Sequence, residues 1–303
     1  MIRLGLCCTF LNEPIKFQTT TAAFLSRRPR ADGLTKLGQL ARANADALLA
    51  ALAFCSTNGI GAFRINSGIL PLKTHPQHGY DVSELPEGAA TIERFRACGR
   101  FAAEHNLRTS FHPDQFVVLN SARPEVVDSS IAEIEYQAEV AEWVGADVIN
   151  VHGGGAFGDK PAALAAFVKS LGRLSPRARQ RLTVENDDKV YTPADLLPLC
   201  RAQGLPLVYD VHHHRCHADG MTVEAATAAA LATWAREPLF HVSSPIDGWG
   251  GPKPERHHDF IDPADVPTAW DALTLTLDVE AKAKEVAVLR LKADLARRTR
   301  ESV

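Results

Sequence analysis

The stretch from Leu207 to His217, LVYDVHHHRCH, carries the densest group of potential metal ligands in the chain. Its first three residues, 207–209, have the β-branched or bulky side chains of a short buried strand. Asp210 follows where such a strand would emerge, and His213 comes three residues later. Imidazole and carboxylate are borderline ligands that suit Zn, Mn, Fe or Co. We therefore expect Asp210 and His213 to bind one ion or two neighbouring ions.

Similar side chains recur at the ends of the other predicted strands. Each is a histidine or an acidic residue at or just after a short apolar run: His112, His152, Glu185, Asp210, His241 and Glu280. His213 and one of the adjacent pair His257 and His258 would lie on loops above the same strand ends. A buried carboxylate is costly unless a cation or hydrogen bonds meet it, so a metal is the simplest explanation. The set exceeds the ligands of one ion, which predicts two or three divalent metals.

Strands and helices alternate along the whole chain. Apolar runs predict strands that begin near Ile2, Ala62, Leu107, Asp147, Leu182, Leu205, Leu239 and Leu273. Helical spacing predicts helices over 36–55, 90–105, 124–145, 161–174, 193–203, 222–235 and from the last strand to about 298, whereas 12–33 is predicted to be a loop. This alternation favours a single α/β domain over residues 1–303, a (β/α)8 barrel of the TIM type, with an open doubly wound sheet as the alternative. In a barrel the carboxyl ends of the strands share one face.

Composition limits the kind of partner. The 303 residues are 46% hydrophobic and 23% charged with a net charge of -3, so no overall basic field indicates nucleic acid or an anionic membrane. No apolar run approaches the roughly 20 residues of a membrane span, and the start of the chain lacks the layout of a signal peptide. The six cysteines lack CxxC spacing. These features predict a cytoplasmic protein with reduced thiols and no membrane partner.

Clustered divalent ions are consistent with two reactions. They can activate a water, neutralise a phosphate and stabilise a departing oxygen in phosphodiester cleavage. They can equally hold an open-chain sugar while a proton or hydride moves. The spacing of the ligands leaves both reactions open.

Nine blocks of sequence run in order through the chain: MIRLGLCC, FRINSGILPLKTHP, SFHPDQFVVLNS, VINVHGGG, VENDD, YDVHHH, FHVSSP, HHDFI and DVEAKAKE. In residue identity and spacing these blocks resemble the UV damage endonuclease family. The resemblance implies a (β/α)8 barrel related to endonuclease IV that nicks double-stranded DNA immediately 5′ to UV photoproducts, both cyclobutane pyrimidine dimers and 6-4 photoproducts, and leaves a 3′-hydroxyl. It also implies a hydrolase of DNA repair that acts as a monomer.

The resemblance further implies a ligand set, which carries over to His112, His152, Glu185, Asp210, His213, His241, His257 and Glu280. Glu185 would bridge two ions. By analogy with three-metal nucleases, His112 and His152 would bind one ion, and His213 and His257 another. Asp210, His241 and Glu280 would bind the third ion. Glu185, Asp210, His241 and Glu280 would carry the catalytic role by holding the metals, with Mn²⁺ as the expected ion and Zn²⁺ or Co²⁺ as alternatives.

Two further groups of residues would contact DNA. Gln115 and Phe116 match the pair that the family is thought to insert at the lesion, where an amide can bond orphaned bases and a ring can stack. From the residues alone, Phe116 could instead begin the apolar core run FVVL. Phosphate contacts need a local basic patch, for which the candidates lie in loops after strands: Arg27, Arg28, Arg30, Lys73, Lys253 and Arg256.

Two positions depart from the family pattern. Leu239 stands where the family commonly has a lysine near the metals, and Leu6 and Cys7 stand where it often has an aromatic residue near the lesion. The first departure bears on metal number and identity, and the second on the range of lesions. Two other hypotheses therefore stay open: a metal-dependent sugar isomerase of the xylose isomerase kind, and a barrel that binds damaged DNA without cutting it.

Overall fold

Eight parallel strands form the sheet in residues 2–301, the part of the chain that our computed structural model describes, apart from the side chains of 299 and 301. Residues 1, 302 and 303 of the expected domain lie outside the described residues. The strands are β1 (Ile2–Cys7), β2 (Ala62–Ile65), β3 (Arg108–Phe111), β4 (Val148–His152), β5 (Leu182–Glu185), β6 (Leu207–Val208), β7 (Leu239–Val242) and β8 (Leu275–Val279). Helices connect consecutive strands except β7 and β8, which are joined by a long loop with two 3₁₀ turns, and this architecture confirms the (β/α)8 barrel.

The barrel closes between β6 and β7. The order of hydrogen-bonded strands is β6-β5-β4-β3-β2-β1-β8-β7, with all pairs parallel. The two ends of this series meet at an isolated parallel bridge between Asp210 and His241. The backbone N–H of His241 donates to the carbonyl of Tyr209 at 3.1 Å. The seam of the barrel thus passes through two of the expected metal ligands.

Helices cover the outside of the barrel. They are α1 (Ala22–Leu25), α2 (Arg30–Asn58), α3 (Gly88–Glu104), α4 (Pro124–Val144), α5 (Lys160–Leu171), α6 (Pro176–Arg179), α7 (Pro193–Gln203), α8 (Val211–Cys216), α9 (Val223–Leu231) and α10 (Lys284–Glu301). Short 3₁₀ turns occupy Val82–Glu84, Pro263–Asp265 and Thr268–Trp270. Buried side chains of the strands, such as Phe63, Phe111 and Phe240, form the main core with the helices. Among the described residues, no helix has the length and apolar character needed to cross a membrane.

Local chemistry explains where several helices begin and end. Pro124 occupies the first turn of α4, where a missing N–H costs nothing. Thr192 caps α7 by accepting from the N–H of Asp195, whose side chain reaches back to the cap. Gly145 ends α4 in the left-handed conformation that glycine adopts without strain.

The structure corrects three expectations about local structure. The range 12–33 is not all loop, because it contains α1 and the first residues of α2. Arg30 can begin α2 because Pro29 disfavours helix only for the residue before it. His213 was also expected on a loop and lies instead in α8, which begins there because the Asp210 side chain accepts from the N–H of His213. Strand β6 is two residues rather than five, since Pro206 has no N–H to pair and only the isolated bridge at Asp210 follows Val208.

Candidate metal centre

Expected ligands from six strands converge at the carboxyl end of the barrel, with Glu185 at their centre. Glu185 is fully buried, and its two carboxylate oxygens lie 3.0 Å from His112 Nε2 and 3.1 Å from His241 Nδ1. His213 Nδ1 lies 3.3 Å from Glu185 Oε1. One carboxylate thus contacts ring nitrogens from two other strands and from helix α8.

The ligand atoms group into three clusters, in each of which all atoms lie within 4.8 Å of one another. The first contains His112, His152 and Glu185, the second His112, His241 and Glu280, and the third Glu185, Asp210 and His213. His112 and Glu185 each belong to two clusters. Asp210 shares a cluster with His213 and Glu185, and its Oδ2 also lies 4.0 Å from His241 Nδ1, so the distances do not reproduce the expected division into separate ion sites.

Buried polar atoms without partners show that this donor set fits divalent ions. Asp210 Oδ2 and His152 Nδ1 are buried and have no hydrogen-bond partner among the described residues. Such atoms are rare in a folded protein unless an ion or water satisfies them. Imidazole nitrogens and carboxylate oxygens in each cluster match the ligand preferences of Mn²⁺, Zn²⁺ and Co²⁺.

The charges within the site shift the pKa values in opposite directions. Burial alone would raise the pKa of Glu185, but the charges of His241 and His152 and hydrogen bonds from His112 and His213 hold it well below its usual range. Burial alone would lower the pKa of His241, but Glu185 and Glu280 raise it to about 9. Glu185 and Glu280, whose pKa values are both lowered, therefore stay ionised, as metal ligands must be.

Of the adjacent histidines after β7, His257 faces the site. Its Nδ1 lies 3.3 Å from Ser243 Oγ and 3.8 Å from Glu280 Oε2. The ring of His258 instead accepts from the N–H of Phe260 at 2.9 Å. His257 is therefore the member of the pair that lies beside the expected ligands.

Gln115 and Phe116 lie on the exposed loop between β3 and α4. The Phe116 side chain is 76% exposed, which contradicts the core alternative for this residue. Most other exposed large apolar side chains, Leu11, Phe24, Phe157 and Trp249, also lie on connections that follow the carboxyl ends of strands. Asn120 joins the Phe116 loop to the loop after His152, since its Nδ2 donates to the carbonyls of Gly153 at 2.9 Å and Gly155 at 2.8 Å.

The phosphate candidates differ in how free their charges are. Lys73 is ion-paired with Glu139 at 3.5 Å with only 12% of its side chain exposed, and Arg30 pairs with Glu84 at 3.2 Å. The Arg28 guanidinium stacks 3.5 Å over the ring of Phe24. The remaining candidates, Arg27, Lys253 and Arg256, are exposed, and no ion pair engages them among the described residues.

A cleft of about 390 Å³ adjoins the expected metal ligands His257 and Glu280. Four cationic side chains line it: Arg64, Arg256, Lys282 and Lys284. Of these, only Arg256 was expected to contact phosphate. The other three concentrate positive charge next to the ligands in a protein whose net charge is negative.

Sequence reasoning missed Arg64, Asn150 and Asp278. Arg64 donates to Glu280 Oε1 at 2.5 Å. This ion pair holds the largely buried Arg64 side chain beside the expected ligands. Asn150 donates to Glu185 Oε2 at 2.5 Å, and Asp278 lies fully buried two residues before Glu280. Arg64 stands at the end of β2, so the rule that selected the histidines and acids would have found it had cations been included.

Leu239 packs in a small buried cluster with Val148 and Val208. The position where the family commonly has a lysine is therefore apolar in this protein.

Comparison with known proteins relates the whole chain to one family. The family model for UV-endonuclease UvdE matches residues 2–302. A UV DNA damage endonuclease of Deinococcus radiodurans is 34% identical over 307 residues, covering 96% of this chain and 95% of the relative. Another from Bacillus cereus strain G9842 is 31% identical over 297 residues, covering 94% and 90%. A crystal structure of SacUVDE matches with a TM-score of 0.87 and 28% identity, covering 99% of each chain.

Proposed function

The chain belongs to the UV-endonuclease UvdE family, and on that premise we propose that it nicks double-stranded DNA immediately 5′ to UV photoproducts and leaves a 3′-hydroxyl. Cyclobutane pyrimidine dimers and 6-4 photoproducts are the proposed lesions. The observation that carries the proposal is the convergence of His112, Glu185, Asp210, His241 and Glu280 in overlapping clusters on one face of the barrel. Two or three ions held there would suit phosphodiester hydrolysis.

The protein's own residues would hold the ions and position the DNA. His112, His152, Asp210, His213, His241, His257 and the two glutamates supply nitrogen and oxygen ligands. When bound, the ions would supply the Lewis acidity that activates a water and stabilises the departing 3′-oxygen. Mn²⁺ is the proposed ion, with Zn²⁺ or Co²⁺ as alternatives of similar ligand preference.

The lesion would be held open by Gln115 and Phe116. An exposed aromatic ring can stack on a base, and an amide can bond the bases that lose their partners. A damaged base pair costs less to open than an intact one, which would supply selectivity without reading sequence. The cleft containing Arg64 and Arg256 would hold the backbone phosphate beside Glu280.

We also propose that the enzyme acts as a monomer in the cytoplasm. One chain supplies all three residues of each cluster, which supports a monomeric enzyme. The six cysteines are unpaired thiols in the described structure, in keeping with a reducing compartment.

A plasmid assay tests the nuclease. The protein is incubated with Mn²⁺ and supercoiled plasmid, either irradiated or not, and the fraction of nicked circular plasmid is measured on a gel. We expect wild type to nick only irradiated plasmid and Glu185→Gln to lose at least about 100-fold in rate, since the loss of a bridging carboxylate disrupts two clusters. Glu104→Gln, an exposed acid at the end of α3, is the matched control and should cut normally.

Nicking that ignores irradiation, or that survives Glu185→Gln, would contradict the proposal. Retention of irradiated DNA by wild type without nicking would instead support the non-catalytic hypothesis. Activity on a small polyol that DNA leaves unaffected would support the sugar isomerase.

A further inference from the structure

Asp278 is a carboxyl group in the interior of the barrel without a hydrogen-bond partner. It is fully buried, and both of its oxygens are unpartnered among the described residues. It lies in β8 between two register partners, Gly5 in β1 and His241 in β7. Burying an unpaired carboxyl destabilises a fold, so a retained one calls for a compensating role.

A candidate donor is Nε2 of His241, on the side of the ring that faces away from Glu185 and Glu280. His241 Nδ1 faces Glu185 at 3.1 Å and Glu280 at 3.4 Å, whereas its Nε2 is buried without a hydrogen-bond partner. Asp278 Oδ2 lies 3.8 Å from that Nε2. Two unpartnered buried atoms of complementary kind therefore face each other.

Space for the Asp278 carboxyl depends on Gly5. A Cβ at residue 5 would overlap Asp278 Oδ1, so only glycine at this position leaves room for the carboxyl between β1 and β7. The barrel thus contains a fitted place for an acid beside His241.

We propose that Asp278 is a positioning residue, which accepts the Nε2–H of His241 and so keeps the Nδ1 lone pair directed at the metal centre. A histidine bound to a metal usually donates its other ring N–H to a carboxylate or carbonyl, which fixes the tautomer and strengthens the ligand. The inference rests on the proposed function, because it assigns Asp278 to the same metal centre.

The test measures Zn²⁺ affinity by competition with a chromogenic chelator, the number of ions bound, and the melting temperature of the metal-free protein. Asp278→Leu should bind Zn²⁺ about 10- to 100-fold more weakly at the His241 cluster, with the number of sites unchanged. Its metal-free melting temperature should change little, because a buried carboxyl that is costly by itself is lost together with its bond to His241. A residue with a merely structural role would change the melting temperature without weakening Zn²⁺ binding.

Asp278→Asn retains an acceptor oxygen in nearly the same shape and should bind Zn²⁺ with intermediate affinity. Ser110→Ala is the matched control, since Ser110 is also buried two residues before a ligand, His112, and should bind like wild type. If Asp278→Leu does not fold, the ¹⁵N signals of the His241 ring in zinc-loaded wild type and Asp278→Asn decide. Wild type should show the Nε2–H tautomer, and Asp278→Asn a mixture of tautomers.

Three results would overturn the inference. The first is a Zn²⁺ affinity of Asp278→Leu equal to that of Ser110→Ala, and the second is the loss of a whole bound ion in Asp278→Leu, which would make Asp278 a ligand. The third is a His241 tautomer that is unchanged in Asp278→Asn. If wild type binds no Zn²⁺ or Mn²⁺ at all, the proposed function fails at the metal centre, whatever the role of Asp278.

Discussion

The sequence identifies single residues of this site, but it does not give their contacts or their exposure to solvent. Glu185 was selected because it ends a strand, but its contacts with His112, His213 and His241 come from the closure of the barrel. Phe116 is the clearest case of a residue with two sequence interpretations. The apolar run FVVL favours the core, yet the turn at Asp114, whose carboxylate accepts from the N–H of Phe116 at 3.2 Å, presents the ring to solvent.

Removal of the exposed ring should weaken recognition of damage without affecting metal binding. Stacking of a base on an aromatic ring contributes about 1–3 kcal/mol, so Phe116→Ala should bind lesion-containing duplex about 5- to 150-fold more weakly. Binding to intact duplex should change little. Fluorescence anisotropy in a Glu185→Gln background, in which the strand should stay uncut, measures both affinities.

The control for Phe116→Ala is Leu49→Ala, which removes an exposed apolar side chain from α2. Equal discrimination by Phe116→Ala and Leu49→Ala would show that the exposed ring has no part in lesion recognition.

At the scale of elements, the strands and their order of ligands could be predicted, whereas the connections could not. Strands β1, β2 and β7 begin and end where the apolar runs do, because a buried parallel strand is apolar nearly throughout. Helix α8 could not be found by periodicity, since its six residues are mostly polar and it is fixed by the Asp210 side chain. The grouping of ligands into clusters likewise depends on the register between neighbouring strands, such as the pairing of His152 with Glu185.

Asn120 connects two loops of the ligand face, and its removal should loosen both. Asn120 is 2% exposed, donates to the carbonyls of Gly153 and Gly155, and accepts from the N–H of Gly155 at 3.2 Å. Asn120→Ala should lower the free energy of unfolding by about 1–3 kcal/mol, because buried backbone groups lose their partner. It should also speed amide hydrogen exchange over 153–158, as measured by mass spectrometry.

Asn58→Ala provides the comparison for Asn120→Ala, since the Asn58 side chain makes a single bond to the carbonyl of Phe54 within its own helix. A free energy of unfolding for Asn120→Ala no lower than that of Asn58→Ala would show that the loops hold their shape independently.

At the scale of the whole molecule, the charge of the site links stability to pH. Negative ligands crowd the carboxyl end of the barrel, and they raise the pKa of His213 well above its usual range despite the opposing effect of burial. They also raise the pKa of His241 to about 9. Without metal, both imidazoles therefore carry protons in the folded state at a pH where the unfolded chain has released them.

Metal-free protein should consequently lose stability as the pH rises. A raised pKa contributes stability that is complete below the unfolded value of about 6.5 and declines as pH approaches the folded value. The lowered pKa values of His152 and His212, which burial causes, do not offset this decline, because both groups are neutral in either state above that pH. Urea unfolding with a chelator present should give a lower midpoint at about pH 8.5 than at about pH 7.

His241→Gln should flatten this decline by removing one of the two titrating groups. A midpoint for the metal-free wild type that stays constant or rises over the same range would contradict the assigned pKa shifts.

The seam between β6 and β7 has a consequence for the kinetics of metal exchange. Native proteins open first where the fewest contacts hold neighbouring elements together. Within residues 2–301, β6 and β7 meet at the single bridge between Asp210 and His241, and both side chains are inaccessible to solvent. Ions that enter or leave the clusters on either side would pass most readily while this seam is open, so that the residence time of the metal would report the lifetime of the closed barrel.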